Sequence, residues 1–299
     1  MNVTTYRHVA VCMGGPSSER AISMQSGAAV SRALQSRGHR VTDVVVDAEG
    51  RLEWPANADV AFIAMHGRFG EDGGIQSWLE ARGIAHTGSG ALASARAFDK
   101  SIAKVLIAKA GLPTAPYEFL SRGQSRTRPL PVVVKPVRQG SSVGVSRVFR
   151  EEDWGPAVEV GWGYDDVLLV EEYIPGRELT VGRVGDELLP IVEIVPKHGM
   201  FDFHAKYSPD GAQHFIPAPI PEETARRCRE ATLACFDVLG CTGMGRVDIR
   251  LRDDGRIFVL ELNNIPGFTE ISLLPDAARV HGWDFPELCE RVLNLARVF

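Results

Sequence analysis

Gly245-Arg246-Val247-Asp248-Ile249-Arg250-Leu251-Arg252-Asp253-Asp254-Gly255-Arg256-Ile257-Phe258-Val259-Leu260-Glu261-Leu262-Asn263 reads as two strands joined at Asp254-Gly255. That dipeptide suits the positive φ angles of a tight hairpin turn. A turn of even length, two residues or four, sets Asp248 opposite Glu261 and Arg246 opposite Asn263. Side chains alternate faces along a strand, so these four share one face. Leu260 and Leu262 then make the other face apolar. Directly opposed carboxylates repel and weaken a sheet. A divalent cation would make the pair tolerable, because two carboxylates and an amide oxygen are hard ligands suited to Mg²⁺. The competing reading is a solvated strand face with chance acids. A three-residue turn would shift the register and weaken the metal site.

Outward from the hairpin, residues 132–135, 143–149, 167–173, 178–184 and 188–195 read as consecutive strands with short turns, which predicts an antiparallel α+β architecture. An amphipathic helix over about 285–298 closes the chain. The first third has a different rhythm. Strands at 9–13, 41–46 and 60–65 alternate with helices at about 22–35 and 75–81, as in a doubly wound parallel sheet. Active groups in such sheets lie at the carboxyl ends of strands, which singles out Gly14-Gly15, Glu19 and His66-Gly67. A helix over about 93–110 stops at Gly111-Leu112-Pro113, a boundary between the two rhythms.

Composition narrows the functional classes. The chain has 299 residues, with 38 acids against 33 bases, so its charge advertises neither nucleic acid nor a membrane surface. It contains no apolar run long enough to span a bilayer. The short run 9–13 meets Gly14-Gly15 at once and reads as a buried strand, not a signal peptide. Five cysteines form no C-x-x-C pair, which disfavours zinc and a disulfide framework and suits a reduced cytoplasm.

Two loops invite a closer reading. Lys135-Pro136-Val137-Arg138-Gln139-Gly140-Ser141-Ser142-Val143-Gly144 can present backbone N–H groups and a lysine to phosphate, although a polar surface loop would look the same. The lysine precedes the glycines, so this is not a Walker A loop. The stretch 140–144 also matches G-x-S-x-G, but the valines that follow read as strand where a nucleophile elbow needs a helix. Gly88-Ser89-Gly90 reads as packing. The apolar strand at 167–173 ends in Glu171-Glu172, acids that are either solvated or placed to read an adenine edge, with Glu178 accepting from ribose hydroxyls. A long stretch from 196 to 221, containing Ala205-Lys206-Tyr207, reads as an irregular lid or binding loop.

Taken in order, Gly14-Gly15-Pro16-Ser17-Ser18-Glu19-Arg20, His66-Gly67-Arg68-Phe69-Gly70-Glu71-Asp72-Gly73, Thr87-Gly88-Ser89-Gly90, Asp99-Lys100, the 135–144 loop, Glu171-Glu172-Tyr173-Ile174, Ala205-Lys206-Tyr207, Gly245-Arg246-Val247-Asp248, Glu261-Leu262-Asn263-Asn264-Ile265-Pro266-Gly267-Phe268-Thr269 and Ser272-Leu273-Leu274-Pro275 resemble the ATP-grasp superfamily, and within it the D-alanine–D-alanine ligases. The resemblance runs almost end to end. It implies an N-terminal doubly wound parallel sheet (1–97) that binds substrate. An ATP-grasp fold of two α+β sub-domains would follow, 98–180 and a catalytic 181–299.

It also implies roles, position by position. Lys100, Lys135, Lys206 and Ser142 would serve the ATP phosphates, and Glu171, Ile174 and Glu178 the adenine and ribose. Asp248, Glu261 and Asn263 would bind two Mg²⁺, with Mn²⁺ able to substitute. Glu19 would hold the ammonium of the first D-alanine, in one hydrogen-bonded group with Ser141 and Tyr207, and His66 would lie nearby. Arg246 and the Gly267 N–H would form an oxyanion hole, and Ser272 with Leu273 would take the second D-alanine's carboxylate. The expected reaction joins two D-alanines through an acyl phosphate for peptidoglycan precursors, in the cytoplasm. It needs small-molecule partners only, with no nucleic acid and no membrane, and a homodimer is what the family suggests. The alternatives are an ATP-grasp ligase with another nucleophile, of D-alanine–D-lactate type, and a nucleotide-binding protein without catalysis, which the presence of Glu19, Ser141, Tyr207, Arg246 and the metal trio disfavours. The segment Phe201-Asp202-Phe203-His204 departs from the family's usual tyrosines and glutamate, and Asn263-Asn264 stands for its Asn-Thr.

Overall fold

Continuous apolar runs build the first sheet. His8–Gly14 (β1) and Val60–Ile63 (β3) are buried on both faces, as strands covered by helices must be. With Arg40–Val46 (β2) and Ala85–His86 (β4) they form an all-parallel sheet in the order β2-β1-β3-β4. The structure, a computed structural model, describes residues 6, 8–197 and 211–299. The helices of this part are Arg20–Ser36 (α1) and Gly74–Glu80 (α2), followed by Ala91–Phe98 (α3) and Lys100–Lys109 (α4). The last two were expected as one helix. Asp99 breaks it by leaving helical geometry (ψ 105°) and accepting from the Ser101 N–H at 2.8 Å, an N-cap that starts α4 afresh.

A second sheet, in the order β5-β8-β6-β7, is antiparallel and comprises Tyr117–Ser121 (β5), Val132–Pro136 (β6), Ser146–Val148 (β7) and Val167–Glu172 (β8). Trp154–Trp162 (α5) covers it over a small core of its own, built from residues such as Val132, Val134 and Leu168. The strand expected at 143–149 is only three residues long. Just before it Ser141 and Ser142 take φ of 48° and 60°, and turns close from Val143 to Gly140 and from Val145 to Ser142 in place of the first strand residues.

The third sheet, in the order β12-β11-β9-β13-β14, is also antiparallel. It contains Arg177–Val184 (β9), Glu187–Leu188 (β10, on the β9 edge), Val192–Pro196 (β11), Ala212–Phe215 (β12), Met244–Leu251 (β13) and Ile257–Asn263 (β14). Glu222–Leu239 (α6), Leu273–His281 (α7) and Phe285–Leu293 (α8) complete the chain. The span 188–195 is thus two strands, and the final helix is shorter than expected. Part of the stretch expected as irregular is strand β12.

The β13–β14 hairpin corrects two expectations together. Leu251 pairs with Ile257, which leaves an odd turn of five residues, 252–256, and Ile249 faces Val259. Such a turn alone would put Asp248 opposite Leu260. A bulge between Asp248 and Ile249 absorbs Leu260 and restores Asp248↔Glu261 and Arg246↔Asn263. A bulge adds one residue to one strand and so flips its alternation. Val259 and Leu262, three apart, therefore both reach the core, while Leu260 lines a cleft beside Glu261. The face assigned to Leu260 is overturned, and the register of the polar residues holds.

Apolar packing forms three clusters. One runs without interruption from β1 and β3 through Ile265 and Phe268 into α7 and α8. A second lies under β9, β13 and β14 and takes in side chains of α3, α4 and α6. The third is that of β5–β8. Ser89 at the 88–90 turn exchanges hydrogen bonds with the Thr242 backbone at 3.0–3.1 Å, which bears out a packing role. All five cysteines are free and buried, and burial pushes the Cys12 and Cys235 thiols up to about 12. No helix among the described residues is long and apolar enough to cross a membrane.

Candidate active site

Two pockets follow one another along the polar residues of the β13–β14 hairpin. The first is a cleft lined by Lys100, Lys135, Ser142, Glu171, Ile174 and Glu178, together with Asp248 and Glu261. The second is lined by Glu19, His66, Ser141, Arg246, Asn263, Gly267, Ser272 and Leu273. Each expected site residue that the structure describes therefore falls in one of two adjoining spaces. Lys206 and Tyr207 lie outside the described residues.

The cleft is a lattice of opposite charges. Glu171 at the end of β8 is fully buried between Lys135 of β6 and Lys104 of α4, whose Nζ lies 2.8 Å from Glu171 Oε2. Burial pushes the Glu171 carboxyl up, but the two ammonium groups outweigh it and hold it at about 2. The same burial pushes Lys104 down, whereas Lys135 is carried upward on balance by Glu171 and Glu261. Lys100 opens α4, a position set by the Asp99 cap. Its Nζ donates to the Gln139 carbonyl at 2.7 Å and lies 3.2 Å from Glu261. That contact ties the 135–144 loop to the hairpin.

Asp248 and Glu261 are register partners, yet their repulsion is met by protein cations. Arg246 grips both oxygens of Asp248 at 2.8 and 3.0 Å, Thr180 donates to it at 2.7 Å, and Asn263 Nδ2 donates at 3.0 Å. Lys100 answers Glu261. A metal is therefore not the sole means of tolerating the pair. The donor chemistry still fits a hard divalent ion, with two carboxylates and an amide drawn together at one end of the cleft. Among the described residues no cluster of three or more His, Cys, Asp or Glu could hold a metal. Such an ion would depend on these groups plus substrate oxygens, which is how Mg²⁺ is commonly bound.

The second pocket gathers loops from all three sheets. The turn after β1 is set by Gly14 and Gly15 at φ near 90° and by Arg20, which donates to the carbonyls of Gly15 and Val46 at 3.1 and 2.6 Å. This turn delivers buried Glu19. Ser141 Oγ crosses from the second sheet to donate to Glu19 Oε1. Adjacent left-handed residues, uncommon outside glycine, send Ser141 to the second pocket and Ser142 to the first. His66 is buried after β3, with Nε2 2.9 Å from Ser26 Oγ, and Nδ1 3.2 Å from the Ile265 carbonyl and 3.8 Å from Glu71. Burial pushes its imidazole down, while Glu71 and Glu19 outweigh that and the net displacement is upward. Ser272 stands at the N-terminus of α7 and joins Thr269 Oγ1 at 2.8 Å. A helix N-terminus suits a carboxylate.

Sequence reasoning missed several residues. Lys104 was legible as a lone lysine one turn after Lys100, between the buried Ala103 and Ile107. Arg250 shares a face with Arg246 and Asp248 by the same alternation and lines the cleft. Glu71, which lines the second pocket and accepts from Asn264 Nδ2 through its carbonyl at 3.0 Å, stood within a quoted motif without a role. His214, held 3.0 Å from Asp276, carried no signal.

Comparison with known proteins identifies relatives over nearly the whole chain. The family described as "D-ala D-ala ligase C-terminus" matches residues 106–294. The D-alanine–D-alanine ligase of Methylacidiphilum infernorum is 44% identical, over 99% of this chain and 97% of that protein. Among solved structures, the VanG D-Ala:D-Ser ligase of Enterococcus faecalis superposes with a TM-score of 0.86 at 27% identity, covering 97% of this chain and 99% of that one. The Bacillus anthracis D-alanine–D-alanine ligase complexed with ATP gives 0.83 at 28%, covering 97% of each chain.

Proposed function

The chain belongs to the D-alanine–D-alanine ligase family, and from that premise we propose that it joins two D-alanines at the expense of ATP, releasing ADP and phosphate. The observation that carries the reading is the pair of pockets. One holds every described residue expected at the nucleotide, the other every described residue expected at the amino acids, and the Arg246–Asp248 pair spans the border between them.

A free carboxylate resists attack by an amine and must first be activated. In the cleft, Lys100 and Lys135 meet phosphate oxygens, Ser142 and the 135–144 backbone cradle them, and Ile174 and Glu178 hold adenine and ribose. Asp248, Glu261 and Asn263 would hold divalent cations, Mg²⁺ or Mn²⁺, which when bound supply positive charge to the phosphoryl oxygens. Glu19, braced by Ser141, takes the ammonium of the first D-alanine and turns its carboxylate toward the hairpin. The carboxylate takes the γ-phosphoryl group, the bond from the γ-phosphorus to the β,γ-bridging oxygen breaks, and ADP leaves. The amine of the second D-alanine, whose carboxylate lies at Ser272-Leu273, attacks the acyl phosphate, loses a proton and expels phosphate. Arg246 and the Gly267 N–H stabilise the oxyanion, a contribution of roughly 3–4 kcal/mol per donor in comparable sites. The product serves peptidoglycan precursor synthesis in the cytoplasm.

The test is release of ADP and phosphate with Mg²⁺ and a panel of D-alanine, L-alanine, D-serine and D-lactate, with products identified by mass. D-alanyl-D-alanine should form with D-alanine alone, and L-alanine should be inert. AMP in place of ADP, or equal turnover of L-alanine, refutes the assignment. Predominant D-alanyl-D-lactate or D-alanyl-D-serine in mixtures would move the chain to a ligase with another nucleophile.

A further inference from the structure

Arg250 sits on β13 opposite Glu178 of β9, and both side chains line the nucleotide cleft. Its guanidinium is anchored by backbone. Nε donates to the Ile174 carbonyl at 3.3 Å and Nη2 to the Gly176 carbonyl at 2.6 Å. The remaining arm, Nη1, donates to Glu178 Oε2 at 3.1 Å. The turn that offers those carbonyls is itself seated on β13. Gly176 has φ 120°, and a Cβ there would lie 2.2 Å from the Leu251 carbonyl, so only glycine allows the approach. An ordinary cross-strand ion pair needs none of this. Here one planar fork is held at two points and presents its third to a carboxylate facing the cleft, the kind of contact for which arginine is pre-organised and lysine is not.

We propose that Arg250 is a positioning residue for the nucleotide, holding the Glu178 carboxylate where it accepts hydrogen bonds from the ribose hydroxyls. The proposal rests on the nucleotide reading of this cleft and adds to it the group that sets ribose recognition. Glu178 has two oxygens. With Oε2 committed to Arg250, the rotamer is fixed and the carboxylate loses less freedom when the sugar arrives.

The experiment uses the full-length protein with ATP and 2′,3′-dideoxy-ATP, in the wild type, Arg250→Met and Arg250→Lys, reading KM and kcat with D-alanine saturating and the denaturation midpoint of each variant. In the wild type, loss of the sugar hydroxyls should raise KM about tenfold, as expected for hydrogen bonds to a charged group. Arg250→Met should raise KM for ATP by a similar factor, leave KM for the dideoxy nucleotide nearly unchanged, and so collapse the ratio between them. The saturated rate should fall by no more than about twofold, the signature of lost binding energy shared by ground and transition states. Arg250→Lys keeps the charge without the fork and should restore only part of the ratio, which keeps the test open if the methionine variant folds poorly. Equal KM increases for both nucleotides, with the ratio intact, would overturn the proposal. So would a wild type that uses ATP without distinguishing the two nucleotides. A wild type that does not use ATP at all would instead strike the underlying ligase reading, and the proposal with it.

Discussion

The amino-acid pocket and the nucleotide cleft share a hairpin but are walled by different forces. Behind the amino-acid pocket runs one apolar core, continuous from β1 and β3 to Ile265, Phe268 and α7. The cleft lies where two cores meet without merging, that of the third sheet and that of β5–β8. The bonds that cross it are polar: Lys104 to Glu171, Lys100 to the Gln139 carbonyl, and Arg250 to the Ile174 carbonyl. Apolar burial is non-directional and holds a wall whatever is bound. Charge pairs are directional and exchangeable, so a cleft held by them can trade a carboxylate for a phosphate. The cost is that removing one charge strands another. Substitutions in the cleft should register in stability, and substitutions in the amino-acid pocket mainly in activity.

Arg246→Met tests the border and should have the largest effect. It removes an oxyanion donor, lowering kcat roughly 10²–10³-fold. It also strips both oxygens of buried Asp248 of their cation, and leaving a buried charge unpaired costs about 3 kcal/mol or more. Denaturant titration beside steady-state kinetics should show both losses. A rate loss with unchanged stability would place Arg246 with the amino-acid side alone.

Lys104→Met probes the polar seam at a residue that is not itself assigned to substrate, through its partner Glu171. Lys135 still faces Glu171, so the expected loss is nearer the worth of one charged hydrogen bond, about 2 kcal/mol. The sign of the pH dependence follows from Glu171. Its carboxyl is lowered from 4.5 to about 2 on folding, so its contribution is complete above the unfolded value and lost as pH falls from 4.5 toward 2. The variant should therefore show a smaller loss of stability over that acid range than the wild type. Identical acid titrations would mean that the seam is not held by this charge.

Ser141→Ala is the smallest perturbation and belongs to the other side. It deletes the hydroxyl that braces Glu19 and should cost about 1 kcal/mol of first-substrate binding. That is a several-fold rise in KM for D-alanine with an unmoved denaturation midpoint. A shifted midpoint would show that this loop, too, is part of how the sheets are held together.

Much of this arrangement was legible in the chain. The hairpin itself was announced by Asp254-Gly255, and the pairing of Asp248 with Glu261 was expected from an even turn; the turn is odd, and the pairing holds only because the bulge restores it. Glu19 and His66 were found because parallel sheets put their active groups at strand ends. The break at Asp99 was missed, because this capping residue stands inside an apolar pattern that suits one long helix. Leu260 was assigned to the wrong face because nothing in the residues of β14 announces a bulge.

By itself the sequence determined most of the element types, the faces of most strands, the family resemblance and the four polar residues of the hairpin, Arg246, Asp248, Glu261 and Asn263. All of these rest on periodicity and turn chemistry within a few residues. Only the tertiary structure decided that the turn is odd and that a bulge corrects it, since the register is chosen by burying Val259 and Leu262 together. Only the tertiary structure brought Lys104 to Glu171 and Arg250 to the carbonyls of 174 and 176. Those contacts join segments far apart in the chain, and their partners are selected by the cost of burying a charge alone, a quantity that no local pattern of residues contains.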